Sequence, residues 1–507
     1  MHHGASWRKS GVDGGPAYHC WVSDSPDAQP TEALTRRSVR DAKPPGLAEL
    51  FAKHPTAWIA SVLGVVFLLL GTGAVFAGIA TGSASGATVP TPTPTPTMEP
   101  RPVPTALPAS SRLRTCSVTG LATDPRLMQF SGYVVNASNG EVLFDRAGTT
   151  PARTGSVLKV LTAAAAISVL GPNAQLSTRV IDGSAPGTIV LVGGGDPTLS
   201  AASASFYDGA PRLADLAAQA TAEYQKLYPD VPITEIILDA TMWDPSDKWD
   251  SSWLRKEQQI GYQSEVTALM VDGDRENPAR STSPRGTDPI GRAGQAFANA
   301  MGLPGVTLSL GSAVSGRQLL GEVKSQPIST LINQMLQSSD NTLAEMLARV
   351  VSKTMGFNGS AASLAKAIPG ALNVFELDTA GVVIRDGSGL SDLNSVSPAF
   401  VTQLMSKVMA GAQGLDVVYA GLPVAGKSGS LASRFTGDNA VARGSVIAKT
   451  GWLDAAYSLA GIVNSADGTR LSFAFYAIGD GIGADAKVAL DTLTTGIFRC
   501  GDNLSNN

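Results

Sequence analysis

The chain has 507 residues, with 38 Lys plus Arg against 42 Asp plus Glu, a formal net charge of −4. It is long enough for two or three domains, and too nearly neutral to offer the concentrated basic surface that a nucleic-acid partner needs. Its histidines are His2, His3, His19 and His54, and none follows. A working domain beyond residue 54 therefore has no Ser-His-Asp triad, no Cys-His pair and no histidine-ligated metal, which leaves acid–base chemistry to Lys, Asp, Glu or Tyr.

Residues 1–55 are rich in Gly, Pro, Ser and charge, show no apolar periodicity and read as a disordered tail. Thr56 to Gly82 carry no charge over 27 positions, more than the roughly 20 apolar residues a membrane-spanning helix needs. Arg36, Arg37, Arg40, Lys43 and Lys53 precede this stretch, and the next basic residue is Arg101. The asymmetry places residues 1–55 in the cytoplasm and everything after the span outside. A cleaved signal peptide is the competing reading, with small residues at Ser83–Ala87, although its apolar region ordinarily runs to about 7–15 residues. Residues 83–112, with TPTPTPT and PRPVP, form a Pro-rich linker that holds the following domain off the membrane.

The folded part runs from about Leu113 to Asn503, bracketed by Cys116 and Cys500. Two cysteines at the ends of an exported domain predict a disulfide between them, with Cys20 reduced in the cytoplasm. Gly132–Asn136 and Glu141–Asp145 read as a hairpin across Ser138-Asn139-Gly140. Ser156–Leu170 reads as an Ala-rich helix stopped by Gly171-Pro172. Near the other end, Ser445–Thr450, Tyr457–Val463 and Leu471–Ile478 read as a meander, followed by a helix over Ala484–Phe498. Joining hairpin and meander gives an α+β domain with a five-stranded antiparallel sheet flanked by helices and with neighbouring termini. Further helical stretches cover Leu331–Thr354 and Pro398–Gly411. Residues 191–310, with one strand (Thr234–Ala240) and two helices (Leu213–Lys226, Gly291–Met301), read as an inserted subdomain, leaving 113–190 and 311–503 as a discontinuous host domain.

With histidine absent, a serine activated by lysine is the chemistry to look for. Ser-x-x-Lys puts hydroxyl and ammonium on one helical face, and a lysine kept neutral by burial and neighbouring cations can take the serine proton. The pattern occurs at Ser6/Lys9, Ser156/Lys159 and Ser363/Lys366. Only Ser156 opens a long small-residue helix that a sheet can bury. Ser339-Asp340-Asn341 supplies a hydroxyl and an amide two residues apart, which must sit in a turn at a helix start to share a site; alone, it is equally an N-cap. Lys449-Thr450-Gly451 ends a strand-like run, where Lys and hydroxyl suit a carboxylate and Gly allows close approach. Lys427-Ser428-Gly429 repeats the pattern in a Gly/Ser-rich loop.

In their order and spacing, Ser156-Val157-Leu158-Lys159, Ser339-Asp340-Asn341 and Lys449-Thr450-Gly451 resemble the three motifs of penicillin-recognising serine enzymes. Val192–Leu199 (VGGGDPTL), Asp386–Ser391 (DGSGLS), Leu422–Phe435 and Ala448–Gly451 resemble one branch of these, the class C low-molecular-mass penicillin-binding proteins, which are D-alanyl-D-alanine carboxypeptidases and endopeptidases. The resemblance covers about Gly132 to Phe498. It implies a penicillin-binding (transpeptidase/β-lactamase-like) fold with an inserted subdomain, no cofactor, peptidoglycan stem peptides as substrate and β-lactams as covalent inhibitors. It further implies Ser156 as nucleophile, Lys159 as general base, the N–H groups of Ser156 and Trp452 as oxyanion hole, Ser339 as proton relay and Asn341 on the substrate amide. Lys449 and Thr450 would hold the terminal carboxylate. Two features depart from the branch. Trp452 stands where a small hydroxyl residue usually follows Lys-Thr-Gly, and the spacing from Ser156 to Ser339 leaves room for one insertion rather than two. The rival functions are a β-lactamase on the same fold, disfavoured by VGGGDPTL and DGSGLS, and a non-catalytic peptidoglycan-binding or sensory domain, disfavoured by the intact motifs.

Overall fold

The computed structural model describes residues 113–506. The expected tail, the span 56–82, the linker, Cys20 and the Ser6/Lys9 pair lie outside them. Among the described residues no helix is long and apolar enough to cross a membrane.

The chain enters on the short strand β1 (Cys116–Ser117) and forms the hairpin β2 (Gln129–Asn136) and β3 (Val142–Arg146). Its turn uses Gly140 at φ +75°, a value that costs glycine little, while the Asn139 side chain accepts from the Glu141 N–H. The expected helix follows, with its first turn tightened: Gly155–Leu158 is a 3₁₀ turn that runs into α1 (Lys159–Leu170).

A second, mixed sheet comes next. It is built from β4 (Ser177–Asp182), β5 (Thr188–Val192), β6 (Glu235–Asp239), β7 (Thr307–Leu310) and β8 (Leu319–Lys324), in the order β7-β6-β5-β4-β8. Helices α2 (Leu213–Leu227) and α3 (Pro289–Ala300) pack on it through Leu216, Ala220, Ala293 and Phe297. These helices and β6 are the elements expected from the sequence. The sheet reaches past 191–310 on both sides, because β4, most of β5 and β8 belong to it. Their signal is weak: β5 is a short apolar run buried along most of its length, without the alternation that marks a half-buried strand.

The chain then forms α4 (Ile328–Ser338) and α5 (Asn341–Thr354), where the sequence suggested one helical stretch over Leu331–Thr354. Ser339 breaks it, at φ +59° in the left-handed region, and Asp340 starts the second helix by accepting from the Leu343 N–H at 3.0 Å. After α6 (Leu364–Leu372) and α7 (Pro398–Met409) come β9 (Val446–Leu453), β10 (Ala456–Asn464) and β11 (Arg470–Ile478), then α8 (Ala486–Cys500).

β10 pairs antiparallel with both β9 and β11, and the β2–β3 hairpin lies along β11, so the five strands form one antiparallel sheet with β9 at an edge. The Ala137 N–H donates to Arg470 O, and the Phe130 ring lies 5.7 Å from that of Phe475. Strand alternation divides the core. Leu459, Phe473 and Phe475 face α8, whereas Ala460, Ile462, Ala474 and Tyr476 face the helical layer of α1, α4, α5 and α7. Finally β12 (Leu504–Ser505) pairs parallel with β1, and Cys116 is bonded to Cys500 with Cα atoms 5.5 Å apart. The expected bridge and the neighbouring termini are both present.

Candidate active site

The three motifs converge between α1, the α4–α5 turn and the edge strand β9. Close backbone approach sets their spacing. A Cβ on Gly451 would stand 2.1 Å from Ser458 Oγ and 2.4 Å from Thr154 O, and a Cβ on Gly155 would stand 2.9 Å from Trp452 N. Only glycines at both positions let the Ser156 turn lie against β9, which brings the backbone nitrogens of Ser156 and Trp452 to the same wall.

Lys159 is fully buried. Its Nζ donates to Ser156 Oγ at 2.8 Å, to Asn341 Oδ1 at 2.6 Å and to the backbone O of Ser388 at 2.8 Å. Those three contacts use all three N–H donors of an ammonium. When the amine is neutral, two N–H groups stay with Asn341 and Ser388, and the lone pair is left for the hydroxyl of Ser156. Burial pulls Lys159 down to about 8 against the opposing pull of Asp386, Glu345 and Asp340. Lys449, also fully buried, is held well below the ordinary lysine value, first by burial and then by Lys159. Its Nζ donates to Ser339 Oγ at 2.8 Å and to Thr450 O at 2.9 Å. The left-handed turn at Ser339 is what points that hydroxyl at β9 while Asn341 faces α1.

Asp340, between them, faces away from the cleft chemistry. Its Oδ2 accepts from Arg275 Nη2 at 2.7 Å and from the Tyr207 hydroxyl at 2.9 Å, both from the inserted part. Burial raises this carboxyl, but Arg275 and Arg285 outweigh it and bring it to about 2. The cleft itself measures ≈ 280 Å³ and is walled by Ser156, Ser339, Asn341, Thr450 and Trp452 on one side and by residues such as Leu254, Glu257 and Tyr262 of the inserted part on the other. Trp452 is half exposed, and its ring meets Tyr262 edge-on at 6.3 Å. Thr450 Oγ1 lies 2.8 Å from Ser430 Oγ, a second hydroxyl beside the position where Trp452 lacks one.

All the site residues expected from the sequence are thus brought together: Ser156, Lys159, Ser339, Asn341, Lys449, Thr450, Gly451 and Trp452. The repeated patterns are not. Ser363 Oγ is bonded to Ser360 O and Ser352 Oγ, with Lys366 exposed on the surface, and Ser428 Oγ accepts from the Val424 N–H in its loop. Sequence reasoning missed Ser388, whose stretch DGSGLS it quoted without a role, and Glu345, Arg275 and Tyr207. A signal existed for one of them: Glu345 stands four residues after Asn341, on the same helix face. Among the described residues no group of three or more His, Cys, Asp or Glu is placed to hold a metal ion.

A family model described as the D-Ala-D-Ala carboxypeptidase 3 (S13) family matches residues 115–286 and 276–496. The chain belongs to this family. A carboxypeptidase of Mycobacterium tuberculosis is 34% identical over 415 residues, spanning 78% of this chain and 86% of the relative. The carboxypeptidase DacB of Mycolicibacterium smegmatis is 32% identical over 476 residues, 88% of this chain and 99% of its own. Among solved structures, penicillin binding protein 4 of Haemophilus influenzae matches with a TM-score of 0.61 at 20% identity, over 73% of this chain and 96% of that one, which supports the fold. This S13 protein is accordingly a serine D-Ala-D-Ala carboxypeptidase.

Proposed function

We infer that the enzyme works through an acyl-enzyme on Ser156, with Lys159 as the base. The observation that carries this reading is the set of contacts at Lys159 Nζ, which reserves the amine lone pair for Ser156 Oγ at 2.8 Å. As Ser156 Oγ attacks the carbonyl of the penultimate D-Ala, its proton passes to Lys159. The developing oxyanion is met by the N–H groups of Ser156 and Trp452. Collapse breaks the peptide bond, and the proton that Lys159 took from Ser156 passes to the leaving amine by way of Ser339, which touches Lys449, so that Lys159 is neutral again. Water then attacks the ester and gives a proton to Lys159, which hands it to Ser156 Oγ as the ester bond breaks, restoring both residues. Lys449 and Thr450 hold the terminal carboxylate, and Asn341 holds the substrate amide. The same acyl step serves an endopeptidase when the leaving amine belongs to a cross-bridge. β-Lactams, one of which is bound in a structure of the Haemophilus protein, would acylate the same serine.

The substrate lies in the cell wall, and an anchor over residues 56–82, uncharged and preceded by five basic residues, suits an extracytoplasmic domain on a Pro-rich stalk. A tag before residue 50 is expected to resist protease in intact cells while the domain after Pro108 is cut. A mature chain beginning near Ala84–Ala87 would replace the anchor with a cleaved signal.

Fluorescent penicillin is the direct test of the site. Ser156→Ala and Lys159→Ala should lose covalent labelling and release of D-Ala from a stem-peptide substrate, with Ser363→Ala labelled as wild type. A labelled peptide lacking Ser156 would overturn the assignment.

A further inference from the structure

The proposed mechanism uses one end of α5, through Asn341, and leaves a fully buried carboxyl one turn further along unemployed. Glu345 Oε1 accepts from the backbone N–H of Ser388 at 2.7 Å and of Gly387 at 3.0 Å, and Oε2 accepts from the same Gly387 N–H at 3.0 Å. The carbonyl of the same Ser388 receives Lys159 Nζ at 2.8 Å. Gly387 has no room for a side chain, since a Cβ there would stand 2.5 Å from Ala348 Cβ and 2.9 Å from Ala344 O, both on α5. The loop is therefore pressed onto α5 beside Glu345, and its remaining freedom is the tilt of the Gly387–Ser388 peptide planes. Asp386 secures the other half of the loop, accepting from the N–H groups of Gly389 and Ser391, from Asn394 Nδ2 and from Trp253 Nε1.

We propose that Glu345 is a positioning residue for the base: by gripping the Gly387–Ser388 backbone it aims Ser388 O at Lys159 Nζ, so that α5 sets both fixed acceptors of the amine, Asn341 directly and Ser388 through the loop. This rests on the reading of Lys159 as base. Three groups bear on the carboxyl of Glu345: Asp386 from the loop, Arg349 from the next turn of α5 and Lys159 from α1. Lys159 in turn faces Asp386 and Asp340, with Lys449 across from it on β9. Burial and Asp386 push the Glu345 carboxyl up to about 8, although both its oxygens accept loop N–H groups, the contacts of the ionised form. Once ionised it favours the ammonium form of Lys159, so removing its charge shifts the base toward neutrality through the limb near 8, while removing its grip spoils the aim.

The test is the rate of acylation by benzylpenicillin as a function of pH, on the full chain of the wild type, Glu345→Gln, Glu345→Asp and Lys159→Ala. Glutamine puts an amide NH₂ where backbone N–H groups must be accepted. Its plateau rate is expected to fall on the order of ten- to a hundredfold, as for small misplacements of a catalytic group, and its acidic limb to move to lower pH. Aspartate keeps the charge but is one methylene too short, so the plateau falls and the limb stays. A role confined to folding would lower the fraction of titratable sites without moving the limb, and that result, or wild-type profiles in both variants, or loss of the folded state in both, would overturn the proposal. Lys159→Ala acylating at the wild-type rate would instead overturn the assignment of the base, whatever the Glu345 variants do.

Discussion

At the scale of the residue, the site is two buried lysines with different partners. Burial pulls Lys159 down to about 8, and in the proposed mechanism it acts as a base only when neutral, so acylation should rise as pH increases through that value. Lys449, across from it, is itself held well below the ordinary lysine value by burial and by Lys159. Lys449→Ala should relieve the mutual repulsion, return Lys159 toward ordinary basicity and move the limb to higher pH, while KM for a substrate with a free terminal carboxylate rises. A limb that stays put would mean that burial alone tunes Lys159. The identities of these groups were legible from motif spacing, since the absence of histidine after His54 removed the usual bases. Their acceptors were not. Ser388 contributes a backbone carbonyl, which any residue type carries, and Arg275 becomes a partner of Asp340 only when the inserted part folds back over a turn 65 residues away in sequence.

At the scale of the element, the inserted part is fastened to the catalytic wall by an ion pair whose members, Arg275 and Asp340, are each almost wholly buried. Replacing one partner leaves the other charge buried alone. Arg275→Met should therefore destabilise the fold by about 3–5 kcal/mol in urea unfolding, and a loss near zero would show that water reaches Asp340. The pH dependence has a definite sign. The folded carboxyl, near 2, lies below its ordinary value of about 3.9, so its contribution is complete above that ordinary value and fades as pH falls toward 2. Strand and helix periodicity gave away the five-stranded sheet, α1, α7 and α8. The helix start at Ser339-Asp340-Asn341 was legible from its turn and N-cap residues, but not the left-handed Ser339 that ends the preceding helix, because only glycine and asparagine commonly announce that conformation. The borders of the inserted sheet were blurred because its flanking strands lack a clear period of two.

At the scale of the whole molecule, the Cys116–Cys500 bridge closes a loop of sequence separation 384 beside the short parallel pairing of β1 and β12. Replacing both cysteines by serine should lower stability by about 2–5 kcal/mol, read as a shift in the urea midpoint at unchanged slope, while penicillin labelling of the folded enzyme persists. Loss of labelling at low denaturant would mean that the bridge shapes the cleft as well as the termini.

The placement of β9 has a consequence for how the molecule behaves in a crowd of its own copies. A sheet edge is a template for any extended chain. Here the first part of the edge is already occupied: Ala425 N–H donates to Val446 O and Ala448 N–H to Pro423 O, with Val424 bridged to Ile447. Among the described residues no strand continues along the outer side beyond Ala448, where Thr450, Trp452 and Leu453 line the cleft. The length unpaired on that side, from Lys449 to Leu453, is about 17 Å at the usual rise per residue. In the proposed function it takes the last few residues of a stem peptide, yet it is too short and too roofed by the inserted part to zip two enzymes together edge to edge. The same truncation that would let a short peptide dock thus limits self-association through this edge.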